Sequence, residues 1–407
     1  MVIRPFAALR PPANMVAEVQ SPPYDVMSRE EAIHMIQGKE KSFLRITRPD
    51  ALFPEWDEHD ERLYEEARKM IEQFREKGWL FREKKPCLYF LWQKWQEREQ
   101  TAVYAAVRCE DYEKGDIRRH ELTRKDKEED RTKHIAITKV GTGPVFLTFR
   151  DMGAWESLKA TIMAYPPEYH FTDAQNVEHK LWVIESEEMI HTIQEYFEDV
   201  ERFYIADGHH RAASAYNVWK RYGEKGEGYA YFMAALFPSH ELAILPYHRL
   251  VLDLNGMTAD RFLERLAERF ALDVSSSLDS PRKGVIGMYL DGQIYHITIP
   301  SRIIPSDPIE SLDVSLLQKM ILQPMLGIED PRTSKRIQFV GGIRGTKSLI
   351  EAVDKGEAAV AFALYPVSLS ELLAVADENK IMPPKSTWFE PKLKDGVLAY
   401  PLEEAFL

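Results

Sequence analysis

The stretch FYIADGHHRAASAY, residues 203–216, puts an acid, a glycine, two histidines and an arginine into one turn. An apolar run precedes it and small helix-forming residues follow. Gly208, between strand and helix, permits a tight turn and close approach of a ligand. The first N–H groups of the following helix have no partner inside the helix, and the helix dipole adds partial positive charge there, which favours an anion. Arg211 offers a planar fork suited to phosphate, and His209 or His210 can donate a hydrogen bond or carry a proton. Asp207 can orient a histidine or help bind a metal. The plainer reading is a helix capped by Asp207 with solvated histidines, but a glycine and three such donors exceed what capping needs. Zinc held by His209 and His210 is disfavoured, because adjacent residues do not share a helix face.

A second cluster is RRHELTRKDKEEDRTKH, residues 118–134. Glu121 beside His120 has the character of a general base, and Arg119, Arg124 and Lys127 could meet phosphate oxygens. A helix from Lys125 would align Asp126, Asp130 and His134 on one face. An ion-paired solvated helix accounts for the charges, though not for HELT at its entrance. SPPYDV places Tyr24 and Asp25 on a proline-fixed loop, to position a substrate or Mg²⁺ or only to wrap the surface. IQFVGGIRGTKSLIEAV approaches the phosphate-loop pattern G-x-x-x-x-G-K-[ST] but has Thr346 where the second glycine is required, so a glycine-rich turn is the preferred reading. Lys385, Ser386 and Thr387 in MPPKSTWFEPKL could reach back over a site as a lid or pack the chain end.

The elements that must position these residues read as α+β. Ser28 with Glu30 and Glu31 opens a short helix. Residues 57–77 have apolar positions at helical spacing, and Gly78 stops them. PCLYFLWQKWQ and TAVYAAVR read as paired strands turning at EREQ. GPVFLTF is an apolar strand, 185–198 a helix, 201–206 a strand, 209–222 a helix and YAYFMAALF a strand. After Pro238 the pattern restarts with the strand ELAILPYHRLV, the helix TADRFLERLAERF and the strands KGVIGMYLD and QIYHITI, followed by two more helices and two more strands. The expected division is 1–240 and 241–407.

At 407 residues, with 44% apolar and 11% aromatic residues, the chain can build more than one core. Its formal net charge of −12 argues against general affinity for nucleic acid or anionic membranes. Cys87 and Cys109 are too few for a disulfide framework. No apolar segment reaches the roughly 20 residues of a membrane span, and the N-terminal residues carry charge and proline, so a cytoplasmic protein is expected.

RPFAALRPP, PPYDV, HELTRKDKEEDR, TGPVF, IADGHHRAASA, YHRLV, QFVGG and MPPKSTWFEPK together resemble the prokaryotic family of unknown function designated DUF1015. More distantly, DGHHR is similar to the phosphate-gripping turn of the ParB/sulfiredoxin-like fold. Members of that superfamily bind or cleave CTP, reduce cysteine sulfinic acid with ATP, or phosphorylate free L-serine. The resemblance implies a nucleotide-binding core of that fold followed by a C-terminal α+β domain. It places phosphate on Gly208, His209, His210 and Arg211, and makes Glu121 the base by motif order. The sulfiredoxin cysteine is absent from the turn, and no DNA-reading module is present. The expected activity is therefore phosphoryl transfer to a small hydroxyl compound of the free-serine class, from ATP, ADP or pyrophosphate with Mg²⁺ held by Asp207 or Asp25. The alternatives are a non-catalytic nucleotide-binding regulator and a phosphate-ester hydrolase. The C-terminal domain would close over the site through Lys385 and its neighbours, or else support a homodimer.

Overall fold

Ser28 starts helix α1 (Arg29–Ile36) through a reciprocal cap: its amide donates to Glu31 Oε2 at 2.7 Å, and Glu31 N donates to Ser28 Oγ at 3.2 Å. Helix α2 (Arg62–Glu76) buries Leu63, Ala67, Ile71 and Phe74 along one stripe and ends before Gly78, whose φ is +68°. Strands β1 (Leu88–Trp95) and β2 (Arg98–Arg108) form a hairpin with a tighter turn than expected: Gln96 adopts φ +56°, so pairing already begins at Trp95 and Arg98. Then follow β3 (Ile117–Arg118), α3 (Lys125–Thr138), β4 (Val145–Phe149), α4 (Trp155–Met163), β5 (Tyr169–Thr172), β6 (Glu178–Ile184), α5 (Glu187–Glu198), β7 (Phe203–Asp207), α6 (His209–Tyr222) and β8 (Tyr231–Pro238).

The computed structural model describes residues 1–407 and divides into two units, Met1–Leu242 with Pro391–Leu407, and Ala243–Glu390. In the first, eight strands form one mixed sheet in the order β3-β7-β4-β8-β2-β1-β6-β5. The pairs β7–β3 and β8–β4 are parallel and the others antiparallel. Its core gathers Phe90, Val103, Leu147, Phe149, Phe197 and Ile205 around Trp155. Trp155 is fully buried, and its indole N–H donates to Thr101 Oγ1 at 2.9 Å.

The second unit holds an antiparallel sheet of six strands: β9 (Tyr247–Val251), β10 (Ala271–Val274), β11 (Val285–Leu290), β12 (Gln293–Thr298), β13 (Ile337–Gly341) and β14 (Val360–Ala363), in the order β10-β12-β11-β14-β9-β13. Helices α7 (Ala259–Ala267), α8 (Lys347–Asp354) and α9 (Leu369–Asp377) belong to it. The run ELAILPYHRLV is not one strand. Pro246 has no N–H for a ladder, and the chain divides there into Ile244–Leu245, paired with Trp388–Phe389, and β9. Both units are α+β, the class read from the sequence.

The last seventeen residues were expected to belong with 241–390, but they pack in the first unit. Tyr400 pairs with Gly141, and the Ala399 and Leu9 amides exchange hydrogen bonds, each 2.9 Å. Leu393, Val397, Leu398, Tyr400 and Leu402 are each at most 4% exposed. Burying such a side chain contributes about 1.5–3 kcal/mol. Their sum is comparable with a whole domain's net stability of about 5–15 kcal/mol. A chain ending at Glu390 should therefore lose the cooperative unfolding of the first unit, seen as loss of near-ultraviolet circular dichroism. An unchanged melting profile would contradict this account of the tail.

Candidate functional site

Strand β7 ends in a bulge against β4, where the register shifts between Ile205 and Asp207. The bulge brings Asp207 to the end of the sheet, and Gly208 turns the chain with φ +89°, a conformation that costs other residues roughly 1–2 kcal/mol. Helix α6 begins at His209, as its sequence pattern predicts. Ala212, Ala213 and Ser214 are buried and bring α6 close to α3, where Ser214 Oγ donates to Glu128 O at 3.1 Å.

The two histidines have a role that their types alone did not reveal. His209 Nε2 accepts the His120 amide at 3.4 Å, and His210 Nε2 accepts the Arg124 amide at 3.0 Å. Both imidazoles thus hold the loop 120–124 against the start of α6. With Nε2 accepting, each ring carries its proton on Nδ1. That places His209 Nδ1 3.8 Å from Glu121 Oε2, with Glu121 about one-third exposed. His120 lies behind this contact, 1% exposed, with its ring edge-on to His209 at 4.5 Å and its Nε2 unpartnered. Burial lowers the pKa of His120 and of His209 to about 3, and the pair remains neutral at pH 7.

Arg211 is committed inward. It is 7% exposed; Nη1 donates to Pro144 O at 2.7 Å and Nη2 to Asp25 at 3.1 and 3.2 Å. The fork expected to face a phosphate instead ties the SPPYDV loop and the TGP segment to α6. Tyr24 lies under two guanidinium groups, Arg131 at 4.4 Å and Arg211 at 5.7 Å from its ring. Arg124 is mostly exposed and pairs with Asp126 at 2.6 Å, so its amide rather than its side chain serves the turn.

Two residues were not found by reading motifs around the turn: Lys392 and Asp395. Lys392 Nζ lies 3.3 Å from Asp207 Oδ2. Burial opposes the Asp207 charge, but Lys392 and Arg211 hold its pKa down at about 2. Asp395 is fully buried, both its carboxyl oxygens lack a hydrogen-bond partner, and burial raises its pKa to about 7 despite Arg211. Gly143 makes room for it, since a Cβ there would lie 2.6 Å from Asp395 Oδ1. The quoted motif MPPKSTWFEPK already contained Lys392 and was the available signal. Nothing local marked Asp395.

Other expectations fall outside this cluster. His134 donates Nε2–H to Ile46 O at 2.9 Å and Asp130 pairs with Arg131 at 2.7 Å, so these two serve packing, while Asp126 stays exposed beside Arg124. The strand, turn and helix of 337–354 form as read. Lys347 is 89% exposed, however, and Gly341 and Gly342 are small because Trp388 and Pro246 press against them. Lys385, Ser386 and Thr387 are in the second unit, where Arg249 donates to Lys385 O at 3.1 Å and Ser386 Oγ to Pro383 O at 2.6 Å.

The model of the family described as "Protein of unknown function (DUF1015)" matches residues 3–315. The chain belongs to the DUF1015 family. No curated protein matches it. Among solved structures it is similar to a mutant free serine kinase in complex with AMP, at 11% identity and TM-score 0.37, over 72% of this chain and 92% of that one. It is also similar to a conserved hypothetical protein from Pyrococcus furiosus (13%, TM-score 0.35, 72% and 93%) and to C-terminally truncated SbnI from Staphylococcus aureus (13%, TM-score 0.38, 72% and 85%).

The carboxylates at the turn do not assemble a Mg²⁺ ligand set. Asp207 carries Lys392, and both Asp25 oxygens carry Arg211. The cluster whose ligand atoms lie within 4.8 Å of one another is elsewhere: Glu156, His240 and Glu241. Lys159 already occupies it, 2.8 Å from Glu241 and 3.3 Å from Glu156. No helix is long and apolar enough to cross a membrane.

The neutral histidines fix a pH dependence. Their folded pKa values lie below the unfolded value near 6.5, so the stability they carry is full above that pH and is lost as pH falls toward 3. Each should add about 1.4 kcal/mol per pH unit to the slope in that window. Urea unfolding between pH 7 and 4.5 should show the loss, with a shallower slope for His209→Asn. Equal slopes would place the titration elsewhere.

Proposed function

We propose that this DUF1015 protein is a phosphotransferase acting on a small hydroxyl compound, with free L-serine as the first acceptor to test. The observation that carries the reading is the juxtaposition of Glu121 with the start of α6, held by two imidazoles that accept backbone amides. Amides of a first helical turn behind a left-handed glycine suit donor phosphates. A partly exposed carboxylate at the same point suits removal of a proton from an attacking hydroxyl. The likeness of DGHHR to a phosphate-gripping turn supports the same reading.

In this mechanism the donor phosphates lie against the amides of 208–211, with ATP, ADP and pyrophosphate as the donors to compare. Arg211 contributes charge from beneath while bracing Asp25. His210 and His209 set the distance between the phosphate turn and Glu121, because a loop pinned at two amides cannot drift from the helix. Glu121 accepts the hydroxyl proton as the acceptor oxygen bonds to phosphorus and the leaving phosphate departs. His120 does not touch substrate; it supports His209 from behind. With Asp25 and Asp207 engaged by protein cations, no step is assigned to a metal.

The test is phosphorus NMR of the protein with each donor, Mg²⁺ and a panel of hydroxy amino acids. A new phosphoester signal is expected. Glu121→Gln should lower turnover by roughly 10²–10⁴-fold, with donor affinity preserved. Phosphate released only to water would indicate a hydrolase. Donor binding without turnover would indicate a nucleotide-binding regulator. Absence of binding would remove the phosphate site altogether.

A further inference from the structure

The stretches YHRLV, QFVGG and MPPKSTW meet at one corner of the second unit. Pairing of β9 with β13 sets Tyr247 opposite Gly341. Trp388 presses on Gly341 and stands edge-on to the Tyr247 ring at 5.3 Å. From the middle of β9, Arg249 lies over the Phe339 ring at 4.5 Å and sends Nη2 to Pro384 O at 3.4 Å and Lys385 O at 3.1 Å. Its Nη1 donates to the carbonyls of Tyr247 and His248, at 3.0 and 3.3 Å.

Each of these acceptors is a backbone carbonyl. Arg249 is 2% exposed, and no carboxylate draws on it. Arg10 and Arg211, the other buried arginines, face Glu83 and Asp25. A buried charge is normally paired, because taking it out of water is costly. Burial lowers the pKa of Arg249 to about 9, and it remains charged at pH 7. Lys385 adds a second positive charge. It is exposed, and its backbone is left-handed with φ +54°, a conformation that residues other than glycine adopt infrequently and that clusters at functional positions. Arg249 holds it there through the Pro384 and Lys385 carbonyls. The ammonium meets no carboxylate and lies 5.7 Å from the centre of the Tyr247 ring. The acids closest at hand are turned elsewhere: Glu390 accepts the Trp388 indole N–H at 2.8 Å, and Asp279, on the His248 side, accepts the Thr346 hydroxyl at 3.0 Å. His248 is buried, its pKa lowered to about 4, and its Nδ1 accepts the Leu364 amide at 3.2 Å.

We infer that the second unit carries an oxyanion site of its own, in which the Lys385 ammonium contacts a phosphate or carboxylate group while Arg249 lends charge from beneath and fixes the lysine's backbone. A bound anion supplies the counter-charge that both cations lack. Arg249 is a positioning residue there, since its Nη donors are spent on carbonyls. The site uses residues of the second unit alone, so it stands or falls independently of phosphate binding at the 208–211 turn.

Competitive acetylation of lysines in the full, unaltered chain, read by peptide mass spectrometry, tests it. Pyrophosphate or succinate should slow modification of Lys385 severalfold relative to chloride at equal ionic strength, while the exposed Lys355 is unaffected. Protection by pyrophosphate alone assigns a phosphate ligand, and protection by succinate alone a carboxylate. Equal rates at Lys385 in all three salts, or equal slowing at Lys355, would overturn the inference. Asparagine tolerates the left-handed backbone, so Lys385→Asn should keep its native near-ultraviolet circular dichroism. Equilibrium dialysis of that variant with the protecting anion should show loss of the binding that the unaltered chain has at this corner. Undiminished binding by the folded variant would equally overturn it. Failure of the 208–211 turn to bind phosphate would leave the protection of Lys385 in place.

Discussion

Two neutral imidazoles accepting two backbone amides hold the site together. The loop 120–124 has no regular structure of its own, and its position relative to α6 is set where His209 and His210 receive the amides of His120 and Arg124. An imidazole can accept only while unprotonated, so burial of His209 is a condition of the arrangement. This explains why adjacent histidines are useful here although adjacent residues make a poor metal pair. They diverge from the helix start to grip two ends of one loop, and Glu121 lies between the grips.

Beneath that surface, alternating charges tie together segments far apart in sequence. Asp25, Arg211, Asp207 and Lys392 come from the proline loop, α6, β7 and the strap Pro391–Leu407, and each acid has a cation as neighbour. Buried or half-buried charges are tolerated only when paired. Asp395 is the most deeply buried of these acids: burial raises its pKa to about 7 although Arg211 draws it down. Arg211 consequently acts as a brace for the SPPYDV and TGP segments, and the surface of the turn is left to amides, His210, Glu121 and Lys392.

Much of this was legible in the sequence because it is local. The β7–Gly208–α6 turn, the cap at Ser28 and the stop at Gly78 follow from residue types within a few positions. The α+β class follows from alternation of the two periodicities. The partners of the charged residues were not legible, since Arg211 facing Asp25 and Lys392 facing Asp207 are decided by sheet order. The Asp126–Asp130–His134 face illustrates the difference: the helix formed as spaced, but His134 turns to the Ile46 carbonyl because the far end of that face packs inward while Asp126 stays exposed. Pro246 and Gln96 moved strand limits by local backbone chemistry that periodicity alone does not weigh.

The chain order carries its own constraint. Residues 243–390 form a separate unit interposed between β8 and the strap. Loop-closure entropy rises only slowly with loop length, so a long insertion costs the first unit little once it is folded. The kinetic consequence is larger. Tyr400, Leu402 and Asp395 must find Gly141, the cluster around Gly228 and the space beside Gly143 across the whole insertion, and contacts at such separation form late. Until they form, Arg211 lacks Asp395 beside it and Asp207 lacks Lys392. A first unit without its strap therefore leaves Asp207, at the start of α6, without the lysine that faces it.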